Sequence, residues 1–349
     1  MVDKKMSLPE VAAVEESSED INATTSVTID DADGCPRYMA RLIQGVKIGP
    51  SPEWLVRRLE SVGQRSINNV VDVTNYLLME LGHPLHAFDF SSLRGKRIVV
   101  KRATDGESFV TLDGQTRSLQ QSDMVICDAE GAVALAGVMG GENSEVQEST
   151  VDVLLESAYF DPISIRRTSK RLGIHSEASH RFERGADIDI VPVALERATA
   201  LIQQLAGGSV AKGQIDNYPK ELEKRVVSIT VEKTNRLLGL ELSLPQIDAL
   251  LQSIELETAP LEGDGDGLQV VIPMSRHDLE REVDLIEEIA RLNGYDNIPV
   301  TMPASRVVHR RKEVQQDFTT ELRNALVAQG GREIINYSFV SPSAWDKIQ

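Results

Sequence analysis

One stretch, residues 69–89 (NVVDVTNYLLMELGHPLHAFD), places polar side chains inside an apolar helical pattern where a simple core would use more Leu and Val. Burying a polar group costs free energy unless the group finds a hydrogen-bonding partner. A segment that keeps several such groups therefore predicts one wall of a polar pocket. Its polar members are Asp72, Thr74, Asn75 and His86.

The same stretch predicts where its helix ends. Residues 69–81 have helical spacing, and Gly82 followed by Pro84 is a typical helix stop. His86 follows this stop closely, so we expect the chain to direct its side chain back towards the helix end.

Length and composition limit the class of protein. A chain of 349 residues is expected to form two or three domains, and 41% hydrophobic with 26% charged residues is typical of a soluble globular protein. No apolar run is long enough to cross a bilayer, and the first residues contain no signal-peptide core. The two cysteines, Cys35 and Cys127, form no CxxC pair, which excludes a disulfide scaffold and a thiolate zinc site and fits a reducing cytoplasm.

The net charge of −17 argues against nucleic-acid binding over the whole surface. One short stretch is nevertheless basic, and it contains Arg166, Arg167, Lys170, Arg171, Arg181 and Arg184. A local basic face can meet a phosphate backbone. Charge alone supports solvated helix faces equally well, and both interpretations stay open.

The order of predicted elements indicates a multidomain α/β (α+β) chain. Residues 1–34 carry nine Asp and Glu against two Lys and predict an acidic linker or N-terminal extension. Residues 35–213 predict a large domain of short strands and helices, and a polar connector follows at residues 214–225. Within the large domain, a strand over residues 151–156 places Glu156 at a strand end and at a sheet edge.

Residues 226–301 predict a small winged-helix-like α+β domain, with a strand, two helices and a hairpin before a longer helix at residues 279–292. Ser243, with Gln246 three residues later, predicts a capping box at the second helix. Residues 302–349 predict the start of a further domain, with a strand near Glu333. Because this domain begins shortly before the last residue, we expect the chain to be a piece of a longer protein.

Several common catalytic motifs are absent. There is no GxxxxGK[ST] phosphate loop and no GxSxG elbow, and the glycines of AGVMGG do not form GxGxxG. His175 and His180 are five residues apart, whereas HExxH places its two ligands four apart on one helix face. These absences disfavour a nucleotide-binding loop, a Rossmann cofactor and a zinc hydrolase.

Four longer motifs occur in order: VDVTNY…LGHPLHAFD at residues 71–89, AGVMGG with LLESAYFDP at 136–162, RLGIHSEASHRFERG at 171–185, and SRHDLEREVDLIEEIARLNGYDNIP at 275–299. With these motifs, the chain closely resembles the β subunit of bacterial phenylalanyl-tRNA synthetase from about residue 35 to its end. The resemblance implies a three-layer α/β editing domain with mixed and antiparallel sheets at residues 35–213, a B5-type domain at 226–301 and a truncated catalytic-like domain after it.

In that family the editing domain hydrolyses tyrosine wrongly attached to the phenylalanine tRNA. Carried over residue by residue, the resemblance implies three catalytic candidates, His86, Arg65 and Ser176, where the family often has Thr in place of Ser176. It also implies an editing pocket formed by Thr74, Asn75, Gly137, Gly140, Gly141, Glu156 and Ala178.

The chemistry of these residues fits the implied role. Tyrosine differs from phenylalanine by one hydroxyl, and a pocket that demands this hydroxyl needs a buried acceptor such as Glu156. A strand-end salt bridge is the structural alternative for this carboxylate. His86 and Arg65 are candidates to orient water or the terminal ribose, and His86 is either a general base or a structural histidine at the helix end. Gly140, Gly141 and Ala178 leave room for the aminoacyl group or simply allow close packing.

A second group of carboxylates lies on and just before the helix at residues 279–292, and it comprises Asp278, Asp284, Glu287 and Glu288. Oxygen ligands suit Mg²⁺, and the resemblance implies a magnesium site at these positions that is shared with the α subunit. The structural alternative is a solvated acidic face with Asp278 as the helix N-cap.

Two functions from different classes follow. The first is part of a cytoplasmic phenylalanine–tRNA ligase that works as an (αβ)₂ heterotetramer with the α subunit and tRNA(Phe), in which ATP is bound by α and not by this fragment. The second is a non-catalytic nucleic-acid-binding module that acts through the winged-helix-like domain.

Overall fold

The structure is a computed structural model that describes residues 11–261, 266–302 and 314–347. The chain divides into two compact units, residues 1–298 and residues 299–349. The first unit contains two separate hydrophobic cores, one in a large α/β domain and one in a small α+β domain. Parallel and antiparallel pairings occur together in the large domain, which confirms the predicted fold class.

The described part of the large domain contains thirteen strands and six α-helices. In chain order they are β1 (Glu16–Asp20), α1 (Ile21–Thr24), β2 (Ser26–Ile29), β3 (Arg37–Gln44), α2 (Glu53–Ser61), α3 (Val71–Leu81), β4 (Leu85–Asp89), β5 (Arg97–Arg102), β6 (Ser108–Val110), β7 (Thr116–Ser118), β8 (Met124–Cys127), β9 (Ala132–Leu135), β10 (Met139–Gly140), β11 (Val153–Tyr159), α4 (Pro162–Leu172), α5 (Glu177–Phe182), α6 (Val191–Ala206), β12 (Ser209–Lys212) and β13 (Ile215–Asn217). Short 3-10 helices lie at Arg94–Lys96 and Glu142–Ser144.

A six-stranded sheet forms the centre of this domain, in the order β1-β12-β3-β11-β4, with β13 also paired to β3. The central strand β11 is buried along its whole length, which its run of apolar and small residues permits. Helix α6 packs on one face of the sheet, where the Ser157 hydroxyl donates to the Val191 carbonyl oxygen at 2.8 Å. Because side chains alternate along a strand, Glu156 points to the opposite face.

A five-stranded sheet, in the order β10-β9-β8-β5-β2, forms a second layer. Its strands β8 and β9 are almost fully buried, and β6 and β7 form a separate hairpin beside it. The large domain therefore has helices, a six-stranded sheet and a five-stranded sheet around one core.

The predicted linker at residues 1–34 differs from the structure where residues are described, because two strands of this segment join the sheets; residues 1–10 lie outside the described part. Strand β1 pairs in parallel with β12, and β2 pairs in parallel with β5. Glu16 accepts from the Arg41 guanidinium at 2.6 Å, and Ile21 is fully buried in the core. Composition could not reveal this, since β1 is an exposed edge strand attached by backbone pairing and charge rather than by apolar burial.

Helix α3 ends as predicted, with Gly82 in the left-handed conformation at φ 71°. The next residues, however, enter strand β4, so His86 lies within a sheet rather than turning back to the helix. Asp72 is also not part of a pocket wall. It is fully buried and accepts from the hydroxyls of Ser51 and Ser66 at 2.6 and 2.5 Å and from the backbone of Ile67, so it anchors the loop before α3.

The small domain has a winged-helix-like arrangement of helices and hairpin. Its elements are β14 (Arg225–Thr230), α7 (Val231–Leu238), α8 (Leu244–Gln252), β15 (Glu257–Pro260), β16 (Gly267–Ile272) and α9 (Glu282–Asn293), with a 3-10 helix at Tyr295–Asn297. The strands form a sheet in the order β14-β16-β15. Ser243 and Gln246 form the predicted capping box at α8, where the Ser243 backbone N–H donates to the Gln246 side chain at 2.8 Å.

The second unit contains α10 (Val314–Ala328) and a 3-10 helix at Pro342–Lys347. The predicted strand near Glu333 is wrong, since the described residues after α10 contain no strand before the 3-10 helix. The apolar residues that indicated a strand, such as Ile335 and Phe339, are exposed and form no ladder.

Candidate functional site

A cavity of about 520 Å³ lies between one face of the six-stranded sheet and strands β8 and β9. We call this face, which carries Glu156 and His86, the cavity face. It brings together eight of the ten residues predicted for catalysis and the editing pocket: Thr74, Asn75, His86, Gly137, Gly140, Glu156, Ser176 and Ala178. Much of the remaining lining is apolar, including Leu78, Leu85, Leu112, Ile126, Leu135, Val138, Met139 and Phe182. An apolar cavity with a few convergent polar groups suits an aromatic ligand that carries a polar substituent.

Glu156 lies in the middle of β11, and not at a strand end or sheet edge as predicted. It is opposite Ala40 on β3 and opposite His86 on β4, so the carboxylate emerges on the cavity face of a three-strand platform. The misjudgement has a simple cause. The charged residue interrupted the apolar pattern, but Ser157 and Ala158 continue the strand because small side chains fit between buried layers.

The Glu156 carboxylate is buried without a salt bridge in the described part of the chain. Burial raises its pKa to about 7, and this rise is opposed by a hydrogen bond of 2.7 Å that the Tyr38 hydroxyl donates to Oε2. The predicted alternative of an ion pair is therefore not what the structure shows. The carboxylate is also not free of hydrogen bonds, because the neutral Tyr38 hydroxyl already donates to one of its oxygens.

His86 lies beside Glu156 and has a buried ring nitrogen, Nε2, with no hydrogen-bonding partner among the described residues. Its ring packs edge-on against Phe88 with centroids 4.5 Å apart. Burial lowers the pKa of His86 to about 4, so the imidazole is neutral at pH 7 and is a weak base. Its geometry fits a group that orients a ligand or a water better than one that removes a proton.

Gly137 and Gly140 line the cavity, and each lies where the packing leaves no room for a side chain. Gly137 has φ +64°, and a Cβ there would meet Phe160, Ile165 and Phe182 at 2.9–3.0 Å. A Cβ at Gly140 would lie 2.7 Å from Cε1 of His86. Gly140 therefore allows the backbone to approach His86 on the platform closely, and Gly137 allows it to pack against the aromatic core residues.

Gly141 does not line the cavity, in contrast to its predicted pocket role. A Cβ at this position would instead lie 2.6 Å from the Val133 carbonyl oxygen and 2.7 Å from Phe109, so the glycine allows close packing next to the bridge between Thr111 and Gly141. The packing alternative fits this residue.

Ser176 lines the cavity, but its hydroxyl is used locally. It is the N-cap of α5, where Oγ accepts from the Ser179 backbone at 3.0 Å and donates to the Val138 carbonyl oxygen at 2.6 Å. The hydroxyl thereby ties the glycine-containing loop to α5 and places Ala178, in the first turn, at the cavity wall. A nucleophilic role would require this proton to leave a satisfied hydrogen bond.

The two polar pocket residues predicted on α3 differ in whether their side chains are already hydrogen-bonded. The Thr74 hydroxyl donates to the Val71 carbonyl oxygen at 2.7 Å and is committed to the helix, whereas the Asn75 amide forms no hydrogen bond within the described ranges. Arg65 lies exposed on the loop before α3 and does not line the cavity, although its neighbours Gln64 and Ile67 do. Its predicted catalytic role therefore has no direct support from its position.

Tyr38 is the residue of this site that sequence reasoning missed. It is fully buried on β3 and contacts Glu156 over a separation of 118 residues. A signal existed, because a tyrosine in an otherwise apolar strand needs a partner for its hydroxyl. The sequence alone could not say which partner that is.

The predicted magnesium ligands do not converge on a cation position. Arg276 donates to both oxygens of Asp278 at 2.9 and 2.7 Å and lies 3.3 Å from Glu288. Asp284 accepts from the Arg281 backbone at 2.7 Å and caps α9. No group of three or more metal-binding side chains is found in the described residues, and arginines pair with three of the four carboxylates, so these residues do not fit a metal on their own. The predicted N-cap, Asp278, is replaced by Arg281.

The basic stretch lies on α4, on α5 and in the turn that follows α5. Arg171, Arg181 and Arg184 form salt bridges with Asp123, Glu177 and Glu183. Arg166, Arg167 and Lys170 are exposed. This arrangement leaves both interpretations of the stretch open. None of the helices in the described ranges could cross a lipid bilayer, given their lengths and apolar content.

Comparison with known families divides the chain into three consecutive matches. Residues 34–207 match the B3/4 domain, residues 227–295 the tRNA synthetase B5 domain, and residues 298–349 the phenylalanyl tRNA synthetase beta chain CLM domain. The first match contains the whole cavity lining.

Curated relatives are similar along nearly the whole chain. The phenylalanine–tRNA ligase beta subunit of Syntrophotalea carbinolica is 63% identical over 96% of this chain, and that of Geobacter metallireducens is 56% identical over 96%. The chain spans 42% of the length of each. A solved N-terminal fragment of the phenylalanyl-tRNA synthetase beta subunit from Pyrococcus horikoshii is 17% identical with a TM-score of 0.37 over 82% of this chain and 78% of that one, a likeness too distant to bear on the fold.

Proposed function

Since the chain belongs to the family of phenylalanine–tRNA ligase β subunits, we propose that its large domain hydrolyses tyrosine wrongly attached to tRNA(Phe). The single observation that carries this proposal is the buried carboxylate of Glu156, which has no salt bridge among the described residues, on the wall of an otherwise largely apolar cavity. The resemblance recognised in the sequence is confirmed by the family matches.

The proposed selectivity rests on one hydrogen bond. Oε2 of Glu156 is bound by Tyr38, and the other oxygen has no donor among the described residues. The phenol of a tyrosyl group can donate to that oxygen, while a phenylalanyl group enters the same cavity and leaves it without a donor. An unsatisfied charged acceptor costs roughly 1–3 kcal/mol or more, which is enough to separate the two esters by ten- to a hundredfold.

The proposed reaction is hydrolysis of the aminoacyl ester by water. The water oxygen attacks the carbonyl carbon, the bond from that carbon to the ribose oxygen breaks, and the ribose oxygen takes the proton. Free tyrosine and intact tRNA(Phe) leave. His86 and Asn75 have side chains free to orient the water or the terminal ribose, and Ser176 holds the cavity loop in place.

The longer protein, in our proposal, attaches phenylalanine to tRNA(Phe) with ATP in the cytoplasm. It does so as an (αβ)₂ heterotetramer whose α subunit binds ATP. The Mg²⁺ site shared with the α subunit at Asp278, Asp284, Glu287 and Glu288 stays a prediction. In this chain, three of these carboxylates form salt bridges with arginines instead.

Deacylation of Tyr-tRNA(Phe) and Phe-tRNA(Phe) by the purified chain tests the proposal. We expect hydrolysis of the tyrosyl ester in clear preference to the phenylalanyl ester, and loss of that preference in Glu156→Ala. A folded wild-type chain that hydrolyses neither ester, or both equally, would contradict the function.

A further inference from the structure

We propose that Tyr38 is a positioning residue for substrate selection, because it holds one oxygen of Glu156 and so presents the other to the cavity. This inference rests on the proposed function and deepens it. Tyr38 itself does not line the cavity. It acts through the carboxylate alone.

The sheet fixes this contact. In the β3–β11 pair, Tyr38 is opposite Ala158, and Ala40 is opposite Glu156. Since residues two apart on a strand point to the same face, the side chains of Tyr38 and Glu156 both lie on the cavity face. Tyr38 is also paired on its other side with Asn217 of β13. A fully buried ring in a strand with neighbours on both sides has little freedom, and its hydroxyl reaches Oε2 at 2.7 Å.

Within the described ranges, Tyr38 is the one side chain that donates a hydrogen bond to Glu156. The nearby titratable side chains are Tyr38, Cys35 and His86, and Glu177 lies at the cavity wall in a salt bridge with Arg181. Burial raises the pKa of both Tyr38 and Cys35 well above their usual values and lowers that of His86 to about 4. Of these buried groups, only Glu156 changes charge near neutral pH.

Removal of the Tyr38 hydroxyl therefore has a specific consequence. The Tyr38 hydrogen bond holds the pKa of Glu156 down against burial, so Tyr38→Phe moves the ionisation of this carboxyl to higher pH. The mutant carboxyl is then protonated where the wild-type one is an anion. Preference for a tyrosyl ligand falls at neutral pH and returns in alkali, which loss of structure could not produce.

The experiment compares wild type, Tyr38→Phe and the control Tyr159→Phe. Tyr159 is a buried tyrosine on the same strand as Glu156, and no hydrogen bond joins its hydroxyl to that carboxylate among the described residues. Two quantities are measured across pH: the Glu156 carboxyl titration by ¹³C NMR, and the ratio of Tyr-tRNA(Phe) to Phe-tRNA(Phe) hydrolysis.

We expect Tyr38→Phe to shift both midpoints upward by about one pH unit and to lower the preference at pH 7 by roughly fivefold, with recovery at higher pH. Tyr159→Phe should leave both unchanged. A folded Tyr38→Phe protein with the wild-type NMR midpoint, or with undiminished preference, overturns the inference. If wild type itself shows no preference for the tyrosyl ester, the proposed function fails, and the NMR titration still decides whether Tyr38 controls Glu156.

Discussion

His86 on β4 lies directly opposite Glu156 on β11, so an imidazole and a carboxyl share the cavity face of one antiparallel pair. Burial disfavours the charged form of each group: it lowers the pKa of His86 to about 4 and raises that of Glu156 to about 7. They do not form an ion pair at pH 7, where the imidazole is neutral. The pair offers one neutral nitrogen and one carboxylate, which suits a water molecule and a phenol.

Glu156→Gln should stabilise the protein at alkaline pH. The pKa of Glu156 is raised on folding, so its contribution to stability is fully present below about pH 4.5 and is lost as the pH rises through about 7. Glutamine carries no charge and avoids this loss. We expect the unfolding free energy of the variant to exceed that of wild type by up to about 3 kcal/mol at pH 8.5 and by less than about 1 kcal/mol at pH 5, as measured by urea unfolding.

Glu60→Gln is the control for this change, because Glu60 is an exposed glutamate on α2. It should alter stability little at either pH. An equal effect of Glu156→Gln at pH 5 and pH 8.5 would show that the carboxyl does not ionise with a raised pKa in the folded protein.

Gly140→Ala should disturb the cavity face while leaving the fold intact. The added Cβ lies 2.7 Å from Cε1 of His86 and 3.0 Å from Leu112, so the imidazole must move. Overpacking of this kind costs about 1–3 kcal/mol. We expect at least about a tenfold loss of Tyr-tRNA(Phe) hydrolysis, whereas Gly131→Ala, where a Cβ meets nothing within 4 Å, should have wild-type activity. Full activity of a folded Gly140→Ala protein would contradict the assigned position of His86.

Local signals predicted local structure well. Gly82 ends α3 and Ser243 caps α8, because each feature depends on residues within one helical turn. The cavity could be anticipated through motifs, but the sequence does not contain its geometry. Gly137, Gly140 and Gly141 read alike as small residues, and only the packing shows that the last of them faces Phe109.

Contacts between distant segments escaped prediction for the same reason. The hydroxyl of Tyr38 meets Glu156 over 118 residues, and β1 joins its sheet through a salt bridge from Glu16 to Arg41. The identity of a residue such as Tyr38 or Glu16 does not indicate which distant residue it will contact. Periodicity reports burial, while hydrogen bonds across strands depend on a register that tertiary structure sets.

Ala178→Trp should block the cavity. Ala178 lies in the first turn of α5 and lines the same space as Glu156, so an indole would occupy the room of the aminoacyl group. We expect hydrolysis of Tyr-tRNA(Phe) to be abolished, with the circular dichroism spectrum and a cooperative thermal transition retained. Ala178→Ser, which adds a single oxygen, should keep most of the activity. Unchanged hydrolysis by folded Ala178→Trp would refute the position of the pocket.

Arg276 should prevent Mg²⁺ from binding to the acidic group of the small domain in this chain. Its guanidinium donates to both oxygens of Asp278 and also contacts Glu288, and these hydrogen bonds keep the pKa of Asp278 below its usual value. A cation would have to displace it. We expect no binding heat and no thermal shift for wild type at Mg²⁺ concentrations on the order of millimolar.

Arg276→Gln removes the internal cation and should give measurable, weak Mg²⁺ binding because the carboxylates then repel each other. Arg236→Gln, which affects an exposed pair on α7, should behave as wild type. Millimolar Mg²⁺ binding by the wild-type chain would show instead that these carboxylates rearrange to accept the metal without a second subunit.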